Sequence, residues 1–177
     1  MASALKKSPN QKKKIIQSNK GTPGANAVAN GAAYQARIAA YVHKQFGPHG
    51  IEVHSGKTWG KNGAGGRRFH DLVLHQESTN KALGVECKYQ HVPGSVEYKI
   101  GFIIWDEIRQ NPLLPSIVVY GGPGFSNTFR TWLAQQPETA ECLPTMSLGR
   151  TATTRELDQA LVTYFDLPLK QWLGNNS

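Results

Sequence analysis

The sequence predicts an α/β fold, a mixed central β-sheet flanked by helices, behind a disordered basic N-terminal tail. Three observations predict it. Two β-rich runs, 69–75 and 82–90, flank a polar break and read as a hairpin. A strongly apolar helical stretch follows at 96–109, and a short buried-type strand at 116–120 comes after it. A helix between two strands allows a parallel crossover onto the same sheet, so antiparallel and parallel pairs should coexist.

Bulk properties narrow the function. At 177 residues one domain is the default, long enough to build a core without disulfides. The formal net charge of +8 and a pI of about 9.6 favour a polyanionic partner; by charge alone this is DNA, RNA or acidic lipid. The two cysteines, Cys87 and Cys142, form neither a disulfide framework nor a zinc pattern, which fits a reducing, cytoplasmic compartment. No apolar run is long enough to span a membrane, and the charged N-terminus lacks the apolar segment of a secretory signal. No internal repeat is present.

Taken in order, residues 1–26 carry Lys6, Lys7, Lys12, Lys13, Lys14 and Lys20 among polar residues, a composition that favours disorder. The tail is either an arm along a phosphate backbone or a solubilising extension. Residues 27–177 form the single domain. Alanine-rich helical spacing runs over 27–46 and stops at Gly47-Pro48. Residues 51–54 read as a strand that turns Glu52 and His54 away from the core. The stretch 56–68 is glycine-rich and basic. It fails as a P-loop, because the required first glycine falls at Ile51. A mobile loop here suits phosphate contacts through Lys57, Lys61, Arg67 and Arg68, with Trp59 to wedge or stack.

After the hairpin, Ser95 is placed to cap the helix 96–109, and Glu97 complements its dipole. The glycines at 121–124 end the next strand and let backbone approach a ligand. A helix is expected at 125–136; 143–148 is ambiguous. Thr153 to Glu156 has capping-box spacing before a last helix through Phe165, and Trp172 is expected to dock the C-terminus.

The chemistry sits on the hairpin. A turn centred between Ser78 and Thr79 puts Asp71 opposite Glu86, with Cβ atoms about 4.5–5.5 Å apart. Alternation puts Lys88 on their face and Leu72, Leu74, Val85 and Cys87 on the other, buried face. Two carboxylates so placed repel, and a shared proton or a hard divalent cation offsets the repulsion. Mg²⁺ suits one or two carboxylates plus phosphate and water oxygens, and a neighbouring lysine can orient water or stabilise charge on phosphorus. The alternative is an ordinary ion-pair cluster on a binding surface.

Asp71, followed after the hairpin by Glu86-Cys87-Lys88, resembles the PD-(D/E)XK nuclease superfamily, with His70 in place of the proline. The stretch from Gly94 to Ile100 is similar to the segment that opens a helix after the Glu-x-Lys strand in restriction-like members. The resemblance implies a restriction-endonuclease-like core and a Mg²⁺-dependent DNA endonuclease. Its implied metal ligands are Asp71, Glu86 and the carbonyl of Cys87, with Lys88 positioning water. It further implies a type II restriction enzyme acting as a homodimer, with a Holliday-junction resolvase or homing endonuclease as relatives on the same core. The helix before the hairpin often carries an acid in this superfamily; the matching position here is Gln35, and Glu52 is the reserve candidate. A non-catalytic DNA-binding module is the reading from a different class.

Overall fold

The computed structural model describes residues 23–61, 65–110 and 114–168. Of the tail predicted at 1–26, residues 1–22 lie outside the described residues, as does the predicted docking of Trp172, while residues 23–26 are not tail but the first turn of a helix. Helix α1 spans Pro23–Phe46. It buries Tyr34, Ile38, Tyr41 and Val42, an i, i+4, i+7, i+8 stripe. A short 3₁₀ turn at Gly47–His49 leads into β1 (Ile51–Lys61), which pairs antiparallel with β2 (Arg67–Gln76). A second 3₁₀ turn, Glu77–Thr79, ends at Asn80 in the left-handed region (φ 52°) and returns the chain into β3 (Lys81–Tyr89). Helix α2 (Val96–Phe102) continues as a π-helical stretch, Ile103–Ile108. Then come β4 (Ser116–Gly121), α3 (Asn127–Leu133), β5 (Thr139–Glu141) and α4 (Arg155–Tyr164).

The sheet order is β1-β2-β3-β4-β5. β2 and β3 pair antiparallel, while β3–β4 and β4–β5 are parallel, so the sheet is mixed as the crossover argument requires. One face packs on α1 and α4, with Leu72, Leu74, Val85, Cys87, Ile117 and Val119 among the buried residues. The other face packs Val118 and Tyr120 against Ile100, Ile103 and Ile104 of α2 and its extension and Leu133 of α3. Among the described residues no helix is long and apolar enough to cross a membrane.

The β2–β3 register is Leu72↔Val85 and Leu74↔Leu83. A slip of one residue would move those side chains out of the core against α1 and α4 onto the opposite face of the sheet, and burying each stabilises by roughly 1.5–3 kcal/mol. The stretch expected as a loop at 56–68 is instead mostly the far arm of the β1–β2 hairpin. Glycine and lysine hide the strand pattern there. Gly56 and Gly60 adopt φ of 62° and 74°, and the register shifts between Thr58 and Lys61, a bulge that increases local twist.

That twist has a consequence at Asp71. Gly56 lies in β1 between the residues paired with Leu72 and His70, opposite Asp71. In a regular strand His70 would share the Leu72 face. Its ring instead lies over Gly84, where a Cβ would come within 2.8 Å of His70 Nδ1 and 2.5 Å of Ser116 Oγ. The arm of β2 therefore crosses onto the α2 face of the sheet. Arg68, buried, reaches the extension of α2 and donates to the Glu107 carbonyl.

The capping pattern departs from expectation in three places. Ser95 makes no side-chain cap; the Val96 N–H donates to Gln90 Oε1 instead, at 3.2 Å. Glu97 reaches away from its own helix and accepts from the Ser126 N–H at 2.7 Å. The capping box forms at Thr151 and Thr154, while Glu156 accepts from the Glu141 N–H. The glycines after β4 admit protein rather than ligand: a Cβ on Gly122 would sit 2.3 Å from the Gln90 carbonyl oxygen, and one on Gly124 2.6 Å from that of Val92.

Candidate active site

The described β2–β3 pairing ends at Leu72↔Val85, one step short of Asp71. Beyond it, the Asp71 side chain bridges the diverging strands, and its Oδ2 accepts from the Cys87 backbone N–H at 2.8 Å. A carboxylate that receives a main-chain amide is held in one orientation. From the α1 side, Gln35 donates its side-chain amide to the Asp71 carbonyl at 2.8 Å. Backbone and side chain of Asp71 are thus each fixed by a separate element.

Glu86 and Lys88 project from the α2 face of β3. Lys88 Nζ lies 3.2 Å from Asp71 Oδ2 and 3.3 Å from Glu86 Oε2. The three side chains expected to gather do so. Asp71 and Lys88 are each 21 % exposed as side chains, whereas Glu86 is 7 % exposed, so the cluster opens to solvent on the aspartate and lysine side.

Burial dominates the electrostatics. Desolvation pushes the Glu86 carboxyl up to about 7; Lys88 pulls it down and the Asp71 charge adds to the rise. Burial also opposes the Lys88 charge, but the Glu86 and Asp71 carboxylates outweigh it and hold the ammonium above its ordinary value. Glu86 Oε1 is buried with no hydrogen-bond partner. Next to it, 3.7 Å away, is His70 Nδ1, equally buried and without a partner. His70 Nε2 lies 3.3 Å from the Trp59 carbonyl, an acceptor, so that nitrogen carries the proton and Nδ1 presents a lone pair. Burial, then the Arg68 charge, lowers the His70 pKa and favours this neutral form.

A partnerless buried carboxylate oxygen beside a second, oriented carboxylate is a donor set that fits a hard divalent cation. Asp71 and Glu86 are the residues that would hold it. The Cys87 thiol is not a candidate: it is buried in the α1 face, and burial pushes its pKa far up. Gln35 reaches the site, but its amide is engaged as a donor to backbone. Glu52 does not join: its Oε2 faces His54 and His75. His75 lies four residues from Asp71 along β2, about 13 Å at the strand rise.

The basic residues divide. Lys57, Lys61 and Arg67 are exposed on the hairpin arm beside Trp59 and Phe69, which are 55 % and 56 % exposed. Arg68 is 2 % exposed and faces Glu107, 3.9 Å from Oε2, so it belongs to the internal structure rather than to a phosphate-facing surface. His70 is the neighbour of the site that the sequence reading passed over. Strand alternation assigns it to the core, and only the twist opposite Gly56 brings it to Glu86.

No curated protein matches the chain. A solved structure described as the protein of unknown function AF1548 is similar to it at 12 % identity and a TM-score of 0.41, over 78 % of this chain and 70 % of that one. A model of the PD-(D/E)XK nuclease superfamily domain matches residues 30–167, a span that holds α1 from residue 30, the whole sheet and α4 together with Asp71, Glu86 and Lys88. The chain belongs to the PD-(D/E)XK nuclease superfamily.

Proposed function

We propose that this protein is a Mg²⁺-dependent DNA endonuclease that hydrolyses phosphodiester bonds, and that its role is that of a type II restriction enzyme acting as a homodimer. The observation that carries the reading is the single ammonium, Lys88 Nζ, within 3.3 Å of both an oriented and a buried carboxylate. Asp71 and Glu86 hold the cation, with the Cys87 carbonyl as a further oxygen donor. When bound, Mg²⁺ supplies charge neutralisation at the scissile phosphate and lowers the pKa of water. Lys88 orients the attacking water and faces the charge that develops on phosphorus. Gln35 is a positioning residue: through the Asp71 carbonyl it fixes where that strand leaves the sheet. Lys57, Lys61 and Arg67 contact phosphates, and Trp59 stacks or wedges. The +8 charge supports a nucleic-acid substrate.

The same ion pairing favours a second reading, a DNA-binding module in which Lys88 merely neutralises the two acids. Cleavage of supercoiled plasmid separates them. The expected outcome is Mg²⁺-dependent, EDTA-sensitive nicking or linearisation by the wild type and a loss of about 100-fold or more in Lys88→Ala. Wild-type protein that binds duplex and four-way-junction DNA yet cuts neither would establish the binding module. Cutting confined to the junction would assign a resolvase, and cutting confined to one long asymmetric site a homing enzyme.

A further inference from the structure

A second cluster of metal-ligating side chains lies outside the catalytic constellation, on the outer pair of strands. Glu52 of β1 and His75 of β2 are direct cross-strand partners, and His54 is two residues along β1 from Glu52 on the same face. His54 Nε2 is 3.2 Å and His75 Nδ1 is 4.0 Å from the same oxygen, Glu52 Oε2. The two imidazole rings are 6.5 Å apart at 42°, and one donor atom from each of the three residues falls within 4.8 Å of the others. We propose that Glu52, His54 and His75 form a binding site for a late first-row transition ion, Zn²⁺ foremost, that staples the edge strand β1 to β2.

The donor chemistry selects the ion. Two neutral imidazoles and one carboxylate suit Zn²⁺ and its neighbours, whereas Mg²⁺ prefers an all-oxygen shell. Tetrahedral coordination at 2.0–2.1 Å sets ligand atoms about 3.3 Å apart. The two histidine nitrogens already lie 3.2 and 4.0 Å from Glu52 Oε2, so closure is a matter of small side-chain rotations. The frame is rigid where it must be. The pairs Ile51↔Gln76 and Val53↔Leu74 flank the cluster, and Ile51, Leu74 and Gln76 are buried, so the Cα positions of the three ligands are set by the ladder. The side chains themselves are exposed at 57 %, 40 % and 31 %, free to make the small rotations that closure needs and to leave a position for water. A groove of about 970 Å³ passes Glu52 and His54 and continues to His43 and Glu77, giving ions access. An exposed His–Glu hydrogen bond needs one imidazole; the second one, aimed at the same oxygen from the neighbouring strand, is what points to a cation. β1 is the edge of the sheet, and its far arm leads to the bend that sets Asp71, so a clamp here steadies the catalytic hairpin from outside the site.

The test uses full-length, tag-free protein carrying Asp71→Asn and Glu86→Gln, so that the catalytic acids cannot bind the added ion. Titration with Co²⁺ should give visible d–d absorption saturating at one equivalent. Zn²⁺ should displace it, and millimolar Mg²⁺ should not. Adding His54→Ala and His75→Ala should weaken binding by at least about tenfold, the low end of what disturbing even an outer-sphere partner costs. Zn²⁺ should raise the Tm by several degrees in the background protein and not in that variant. Glu52→Gln, which keeps the shape of the side chain, provides the same comparison should the histidine variant fold poorly. Absence of stoichiometric Co²⁺ or Zn²⁺ binding, or binding unchanged by Glu52→Gln, overturns the proposal. Neither result depends on nuclease activity.

Discussion

Glu86 is the residue whose environment contradicts its chemistry most. A carboxyl raised to about 7 by burial remains protonated in the folded protein over a pH range where the unfolded chain has already released its proton. The folded state then binds more protons than the unfolded state between about pH 4.5 and pH 7, so stability falls as pH rises through that window. The loss is roughly 3 kcal/mol from this group in the absence of a divalent ion. Denaturant unfolding at a series of pH values in EDTA should show that slope, and Glu86→Gln should flatten it. A divalent cation should restore stability near pH 7, since it binds only the deprotonated form. His70 belongs to the same problem. Its Nδ1 faces Glu86 Oε1 at 3.7 Å, too far for a hydrogen bond, so neither buried atom satisfies the other. The acid and the lysine were legible because a hairpin fixes which residues stand opposite each other. The histidine was not, because alternation predicts the wrong face and the turn of the strand at Asp71 is set by its pairing with the glycine-bearing arm of β1.

The hairpin as an element shows what made its register readable and its length unreadable. From Leu72 to Gln76 and from Lys81 to Val85 the two runs are apolar about a polar break, and the pairing centres between Ser78 and Thr79, with Asn80 in the left-handed conformation closing the turn. From Gly56 onward β1 carries glycine, lysine and threonine, which read as loop although the backbone stays paired with β2. β5 is only three residues long, too short for any period to appear, and its pairing is settled by tertiary contact with β4. Gly84 supports the arm's path. A methyl group there would collide with His70 and with Ser116, both of them buried, so Gly84→Ala should cost about 1–3 kcal/mol, seen as a lower urea midpoint with an unchanged m value. Gly101, in α2, has nothing within 4 Å of its Cβ direction. Gly101→Ala should be neutral or stabilising by about 0.5–1 kcal/mol, and the contrast isolates the collision from helix or strand propensity.

For the whole molecule the question is where the excess positive charge acts. A basic chain binds DNA by releasing counterions, and each phosphate neutralised contributes about −0.9 to the slope of log K against log salt. Lys57, Lys61 and Arg67 are exposed on an arm that begins beside Asp71, so replacing all three by alanine should reduce the slope by roughly 2–3 while leaving the fold intact. Arg68 is the internal comparison. It is as cationic as Arg67 by sequence and one residue away, yet it is buried against Glu107 and the extension of α2. Arg68→Ala should therefore leave the salt slope nearly unchanged and appear instead as lost stability, because it strands the Glu107 carbonyl and removes a buried cation that faces the Glu107 and Glu86 charges. Fluorescence anisotropy of a labelled duplex across a salt series, read beside denaturant midpoints for the same two variants, measures both effects. If the triple variant kept the full slope, the hairpin arm would not lie along the duplex, and the charge that binds DNA would have to come from other parts of the chain.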